Sequence, residues 1–296
     1  MRKLILAKGS RGPIVKRIQK RLEELGFPPG PLDGMYGDKT TRAVLAFQRD
    51  RRLDPTGDVD DRSWFELFGT APPGPRDLCI QLTAAFEGAG FETVSGNFDG
   101  AGITWGILGF TLRHGAIRQI IREVHARYPE LLEEALGRRA AELLDVLSRP
   151  LARQIEWADR ISIGPDKANL SKPWRDGFAR LGQFEQVQAI QLRVAEEEYF
   201  RPAVNTASAY DLQSELGLAL AFDIHVQNGG VNSSAGRFIR RYLAQQPVRT
   251  ELERRIVIAH AVADAAQPKW QEDVRSRKHT VAAGGGRVHG QLYILR

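Results

Sequence analysis

At 296 residues, with 42% hydrophobic and 26% charged side chains, the chain has room for two domains and a sizeable core. No apolar run approaches the roughly 18 residues that a membrane span needs, which excludes stable membrane insertion, and the single cysteine, Cys79, excludes an intramolecular disulfide. The net charge of +6 is uneven: residues 1–70 hold 14 Lys/Arg against 10 Asp/Glu, the remainder 28 against 26, so the first segment carries most of the excess and suits an anionic partner. Without zinc-finger spacing or a Walker loop, nucleic acid is not the expected partner.

The N-terminus, Met1-Arg2-Lys3-Leu4-Ile5-Leu6-Ala7, begins as a signal peptide does. Lys8 cuts the apolar stretch short of the roughly 7–15 residues a secretory segment requires, so no signal peptide is expected and export must use another route. Residues 1–70 read as three short helices. Ile14, Ile18, Leu22 and Leu25 recur at helical spacing, and Gly26 stands where a C-terminal cap glycine belongs. Asp38 is a candidate cap for a second helix with Ala43, Val44 and Phe47 inward, and Asp60 or Asp61 for a third bearing Trp64 and Leu67. Between the first two lies a turn-rich loop, Pro28 to Gly34. The stiff stretch Ala71-Pro72-Pro73-Gly74-Pro75 then marks a linker over 71–75.

Residues 76–296 read as mainly helical, with helices over 76–88, 115–147, 150–160, 175–198, 207–228, 233–246 and 249–275. The exception is 90–112, where glycines at 90, 96, 100, 102, 106 and 109 alternate with Phe98, Ile103, Trp105, Ile107 and Phe110; this predicts a small β-hairpin region. Near the end, Leu292-Tyr293-Ile294-Leu295 is an apolar run expected to dock on the body. The fold class is therefore mainly α, a three-helix module followed by a larger domain with one β-hairpin region, and a monomer is expected.

In the first segment Gly9-Ser10-Arg11-Gly12, Val15, Ile18-Gln19, Leu22, Gly26-Phe27, Leu32-Asp33-Gly34-Met35-Tyr36-Gly37, Thr40, Ala43-Val44, Phe47-Gln48, Leu53, Thr56-Gly57 and Trp64 follow one another in an order that resembles the three-helix peptidoglycan-binding domain. The resemblance covers almost all of 8–69 and implies bacterial peptidoglycan as partner. Phe47, Trp64 and the aliphatics read as core. Asp33, Tyr36 and Thr40, at the turn and the start of the second helix, are the candidate wall contacts, while Thr40 and Gln48 also have the chemistry to fix the turn by hydrogen bonds.

Chemistry concentrates at Phe86-Glu87-Gly88 and Gly96-Asn97-Phe98-Asp99-Gly100-Ala101-Gly102-Ile103-Thr104-Trp105. Leu78, Leu82, Ala85 and Phe86 predict the inward face of a helix that ends at Glu87, where partial burial favours a protonated carboxyl. Asp99, at a glycine-flanked turn near Asn97, is placed to stay ionised. A protonated and an ionised carboxyl are what glycoside hydrolysis requires. Thr104 is placed to help Asp99 hold a water, and Trp105 offers a stacking face for a sugar. Glu92 lies between the two carboxylates and competes for a catalytic or subsite role. None of the six histidines has metal-ligand spacing, so neither a metal nor any cofactor is expected.

The run Asp-Gly-x-Gly-x-Thr-x-Gly-Ile-x-Gly-Phe-Thr over 99–111, following a helix with Phe86-Glu87, resembles the chitosanases of glycoside hydrolase family 46, within the lysozyme-like superfamily. The resemblance implies a lysozyme-like α+β fold over 76–296, Glu87 as general acid, Asp99 as general base, Thr104 as the residue orienting water, and inversion at the anomeric carbon. Ala221 to Gly229 is similar to that family's later cleft helix and adds Asp223 and Gln227 as substrate-facing candidates, while the basic run Arg275 to His279 is expected at a solvated helix end. Chitosan is a polycation and its enzymes are usually acidic, whereas this domain is slightly basic. Together with the wall module, that points to peptidoglycan as the substrate and to a phage-endolysin or autolysin setting at the cell wall. The alternatives are a chitosanase, a lytic transglycosylase and a non-catalytic wall-binding protein.

Overall fold

The computed structural model describes residues 4–88, 90–245 and 248–295; Met1, Arg2 and Lys3 of the N-terminal run, and Gln246 at the end of the helix expected over 233–246, lie outside them. The chain is mainly α-helical with short antiparallel strand pairs, and none of the described helices is long and apolar enough to cross a membrane. Two compact units emerge, residues 1–86 with 199–296, and residues 87–198.

Within the first unit, residues 4–68 carry a core of their own. Three helices, Pro13–Glu24, Asp38–Asp50 and Asp61–Phe68, close around Val15, Ile18, Leu22, Ala43, Val44, Phe47, Trp64 and Leu67, as their apolar spacing predicts. Gly26 turns the chain out of the first helix at φ +85°. Asp60 caps the third by accepting the Ser63 N–H at 2.8 Å. Asp38 does not cap the second: Gly37 holds the cap position and Asp38 begins the helix, its carboxylate 2.5 Å from Lys8 Nζ. A strand at Leu4–Leu6, absent from the sequence reading, pairs with Val59–Asp60. The expected linker ends where a helix starts, since Pro75 is the first residue of the helix Pro75–Glu87, a position that costs proline nothing.

The rest of the first unit packs Pro75–Glu87, Arg201–Ala209, Glu215–Asn228, Ser233–Gln245, Glu251–Asp264 and Gln271–Ala283 together around residues such as Ala84, Phe86, Leu220, Phe222, Ile258 and Val281. The C-terminal run docks as expected, as one strand of a hairpin, Gly285–Val288 with Gln291–Ile294. Tyr293 is buried, its ring 4.8 Å from Phe86 and its hydroxyl donating to Ala85 O at 3.1 Å.

The second unit holds the glycine-rich sheet and its helical support. The long helix predicted over 115–147 is three, Ala116–Arg127, Pro129–Leu136 and Arg139–Ser148, broken at Pro129 and at Gly137, whose φ is +55°. Likewise 175–198 is Lys172–Leu181 and Glu185–Ala195, followed by one π-helical turn, Glu196–Phe200. The regions 207–228 and 249–275 each divide too, at 210–214 and 265–270. A short hairpin, Ser162–Ile163 with Asn169–Leu170, was not anticipated. Trp105, Trp157, Trp174 and Phe178 form a chain of ring contacts at the centre.

Candidate active site

The glycine-rich segment folds as a three-stranded antiparallel sheet, Val94–Ser95, Thr104–Trp105 and Phe110–Thr111, with Thr104 opposite both Ser95 and Thr111. Asp99 lies exposed in the loop between the first two strands. Its Oδ1 accepts the Ala101 N–H at 2.9 Å, the geometry of an Asx turn. The loop is fixed on either side of it. Asn97 N–H donates to Ser162 Oγ at 2.9 Å and Asn97 Oδ1 accepts Gly102 N–H at 2.8 Å, while Arg113 Nε donates to Gly100 O at 3.2 Å. Gly96 is compulsory: a Cβ there would lie 2.3 Å from Lys167 O and 2.7 Å from Asn169 O.

Behind the sheet stands Gln191, fully buried. Its Oε1 accepts Ile107 N–H at 3.0 Å and its Nε2 donates to Phe91 O at 3.1 Å, so one side chain satisfies the buried Ile107 amide and the half-buried Phe91 carbonyl. The sequence reading missed it. The available signal was a lone amide inside the apolar stripe Val187, Ile190, Val194, where a polar group persists only with partners.

Glu87 is the last residue of Pro75–Glu87 and is exposed. The helix buries Cys79, Ile80, Thr83, Ala84 and Phe86, a face rotated from the predicted Leu78, Leu82 and Ala85, which are half-buried. The partial burial expected of Glu87 is therefore absent. Thr104 is half-buried on the central strand. Trp105 cannot stack on a sugar: it is 0% exposed, lies 5.4 Å from Phe178 and donates its indole N–H to Phe178 O at 3.1 Å. The alternation of a strand puts it on the opposite face from Thr104. Glu92 is half-buried in the tight 90–93 turn, where Thr93 N–H donates to Gly90 O.

In the first unit the expected cleft helix, Glu215–Asn228, places Asp223 in the interior rather than facing substrate. Asp223 is 0% exposed and ion-paired to Arg277 at 2.7 Å and Lys278 at 2.5 Å, both buried. Thr83 Oγ1 donates to it at 3.1 Å. Burial opposes its charge, but Arg277 and Lys278 outweigh that and hold its carboxyl at about 2. Gln227 is likewise committed within the protein, accepting from Lys278 Nζ at 2.6 Å and donating to Asp273 at 2.7 Å. The run Arg275 to His279 is thus no solvated helix end: Arg275 pairs with Asp264 at 2.9 Å, and its next cations neutralise a buried carboxylate.

In the three-helix module, Asp33 is exposed and accepts from Gln19 Nε2 at 3.1 Å and Met35 N–H at 2.8 Å. Tyr36 and Thr40, the other expected wall contacts, are buried. Tyr36 donates to Gly57 O at 2.9 Å, and burial, then the Asp58 charge, pushes its phenol up. Thr40 Oγ1 accepts from Gln19 Nε2 at 3.2 Å. Both hold the turn rather than a ligand. Gln48 does what its position predicts, accepting Gly57 N–H at 2.9 Å and donating to Asp58 O at 2.7 Å. Among the described residues no group of three or more His, Cys, Asp or Glu side chains converges as metal ligands do.

Residues 83–251, more than half of the chain, match the family model "Glycosyl hydrolase family 46", and residues 11–64 match "Putative peptidoglycan binding domain". Among solved structures, the fold is similar to the GH46 chitosanase of Gynuella sunshinyii in complex with chitotetraose, at 17% identity and TM-score 0.55 over 77% of this chain and 99% of that one. It is also similar to the native chitosanase of Bacillus subtilis MY002, at 17% identity and TM-score 0.53 over 75% of this chain and 97% of that one.

Proposed function

The chain belongs to glycosyl hydrolase family 46, and from that premise we propose that this glycoside hydrolase cuts the β-1,4 bonds of a glucosamine-rich polymer of the chitosan type, from within the chain and with inversion. The observation that carries the mechanism is the presentation of Asp99: an exposed carboxylate pinned by one backbone N–H in a loop fixed from both sides. In the proposed reaction Asp99 takes the proton of a water oriented with Thr104, the water oxygen bonds to the anomeric carbon, and Glu87 gives its proton to the departing glycosidic oxygen. Two carboxyls in these roles suit an inverting enzyme. The solved relatives, named as chitosanases, support chitosan ahead of the peptidoglycan that charge balance suggested.

Peptidoglycan remains the second reading because residues 11–64 match a peptidoglycan-binding model. Such a module tethers the hydrolase to wall glycan and raises its effective concentration there. Reducing ends released from chitosan and from purified peptidoglycan separate the two readings. Glu87→Gln and Asp99→Asn are each expected to lower kcat by about 10²–10⁴-fold, the range for lost acid–base catalysis, with little change in KM. Near-parental turnover in Asp99→Asn with an anhydro-sugar product would replace this mechanism with that of a lytic transglycosylase.

A further inference from the structure

A cleft of about 580 Å³ lies within the second unit, lined by His114, Arg118, Gln119, Arg122, Glu123 and Glu198 together with the start of the helix Ala116–Arg127. It adjoins the candidate active site. His114 Nδ1 is 2.8 Å from Thr111 Oγ1, and Thr111 sits directly across the strand pair from Thr104, so their side chains share one face of the sheet.

The lining holds two guanidiniums, Arg118 and Arg122, and two carboxylates, Glu123 and Glu198, and one of the carboxylates is already engaged by cations from outside it. Glu123 is already engaged by Arg127 at 3.0 Å and by Arg193. Arg118 is half-buried and makes no hydrogen bond or ion pair among the described residues. Arg122 donates only to the backbone oxygen of Leu147, at 3.4 Å. Glu198, the remaining carboxylate, is exposed. No acidic residue stands in the first turn of the helix whose start lines the cleft. Two guanidiniums four positions apart on one helix face, with an imidazole beside them, match a carboxylate in both charge and bidentate geometry. They disfavour an ammonium-bearing sugar at that position.

We propose that this cleft is a binding subsite for a carboxylate carried by the glycan, so that the accepted polymer is an amino-sugar chain with acidic substituents, such as a lactyl ether or its attached peptide. The inference rests on the glycan-hydrolase reading above and favours its second, peptidoglycan form over chitosan: the catalytic centre takes the sugar backbone, and the neighbouring cleft selects an anionic decoration.

The test is calorimetric titration of the intact chain with carboxymethyl-chitosan oligomers and with unmodified chitosan oligomers of equal length, with amide shifts mapped by NMR. The carboxymethylated oligomer is expected to bind more tightly, to shift residues 114–122, and to lose about tenfold in affinity on Arg118→Gln/Arg122→Gln, a loss typical of a charged hydrogen bond. Arg118→Lys is expected to recover only part of that affinity, because it keeps the charge but not the fork. The exposed Arg122→Gln alone guards against a folding defect in the double variant. Equal affinity of parent and folded variants for the carboxymethylated oligomer, or shifts confined to residues 11–64, overturns the proposal. Failure of the parent to cut either polymer overturns the hydrolase reading instead, and leaves the binding comparison intact.

Discussion

Asp223 shows how a single residue can look functional and be structural. Its place in the Ala221–Gly229 pattern marks it for a cleft, yet it neutralises Arg277 and Lys278 in the interior. Such a group stabilises only while ionised. Because its carboxyl is held at about 2 in the folded protein, its contribution is complete above the ordinary carboxylate pKa near 4 and is lost as pH falls through about 2. Acid titration of the thermal midpoint should show that loss between roughly pH 4 and pH 2. Asp223→Ala strands two buried cations and is expected to cost about 3–5 kcal/mol at neutral pH; an unfolding midpoint in urea matching the parent's would refute this role. Cys79 is simpler. Burial, followed by the charges of Glu215, Asp223 and Asp77, pushes its thiol up to about 12, so the folded protein should resist thiol reagents at pH 8 and react only once denatured. Quantitative native labelling would contradict that.

The elements were legible where their signals are local. Glycine and aromatic alternation announced the sheet, and heptad-like apolar spacing announced the module's three helices. The long predicted helices failed at Pro129 and Gly137, where apolar periodicity ran on but backbone chemistry stopped it. The supports that hold the sheet were not legible, because their partners are distant in sequence: Gln191 reaches back to Ile107 and Phe91, and Ser162 to Asn97. Nor did periodicity find the true inward face of Pro75–Glu87, since Cys79 and Thr83 are weak markers of burial. Two substitutions test the scaffold. Gln191→Leu leaves the buried Ile107 N–H without this partner and is expected to cost roughly 1–3 kcal/mol. Gly96→Ala forces the loop away from Lys167 and Asn169 and should lower kcat more than stability if Asp99 needs that loop in place. A Gly96→Ala variant with parental kcat would show that the loop position is not critical.

Across the whole molecule, fold and family were readable from motifs in two short stretches, and substrate preference was not. The basic balance of residues 1–70 argued for an anionic wall, the proposed main substrate is a chitosan-type polymer, and the proposed Arg118 subsite offers a test that can choose between them. Since the net charge is +6, retention on purified walls should weaken as salt rises past about 0.15 M, where the screening length drops to roughly 8 Å; salt-independent co-sedimentation would exclude an electrostatic contribution. The Tyr293 hydroxyl, finally, holds the backbone of Ala85, two residues before Glu87, while its ring flanks Phe86. The last hairpin is thus a splint on the segment that presents Glu87, the proposed proton donor. An affinity tag fused behind it, or a protease nick at the Val288–Gln291 bend, is expected to loosen that splint and lower turnover without touching the reacting groups, so a drop in kcat restored by moving the tag would reveal the hairpin's part.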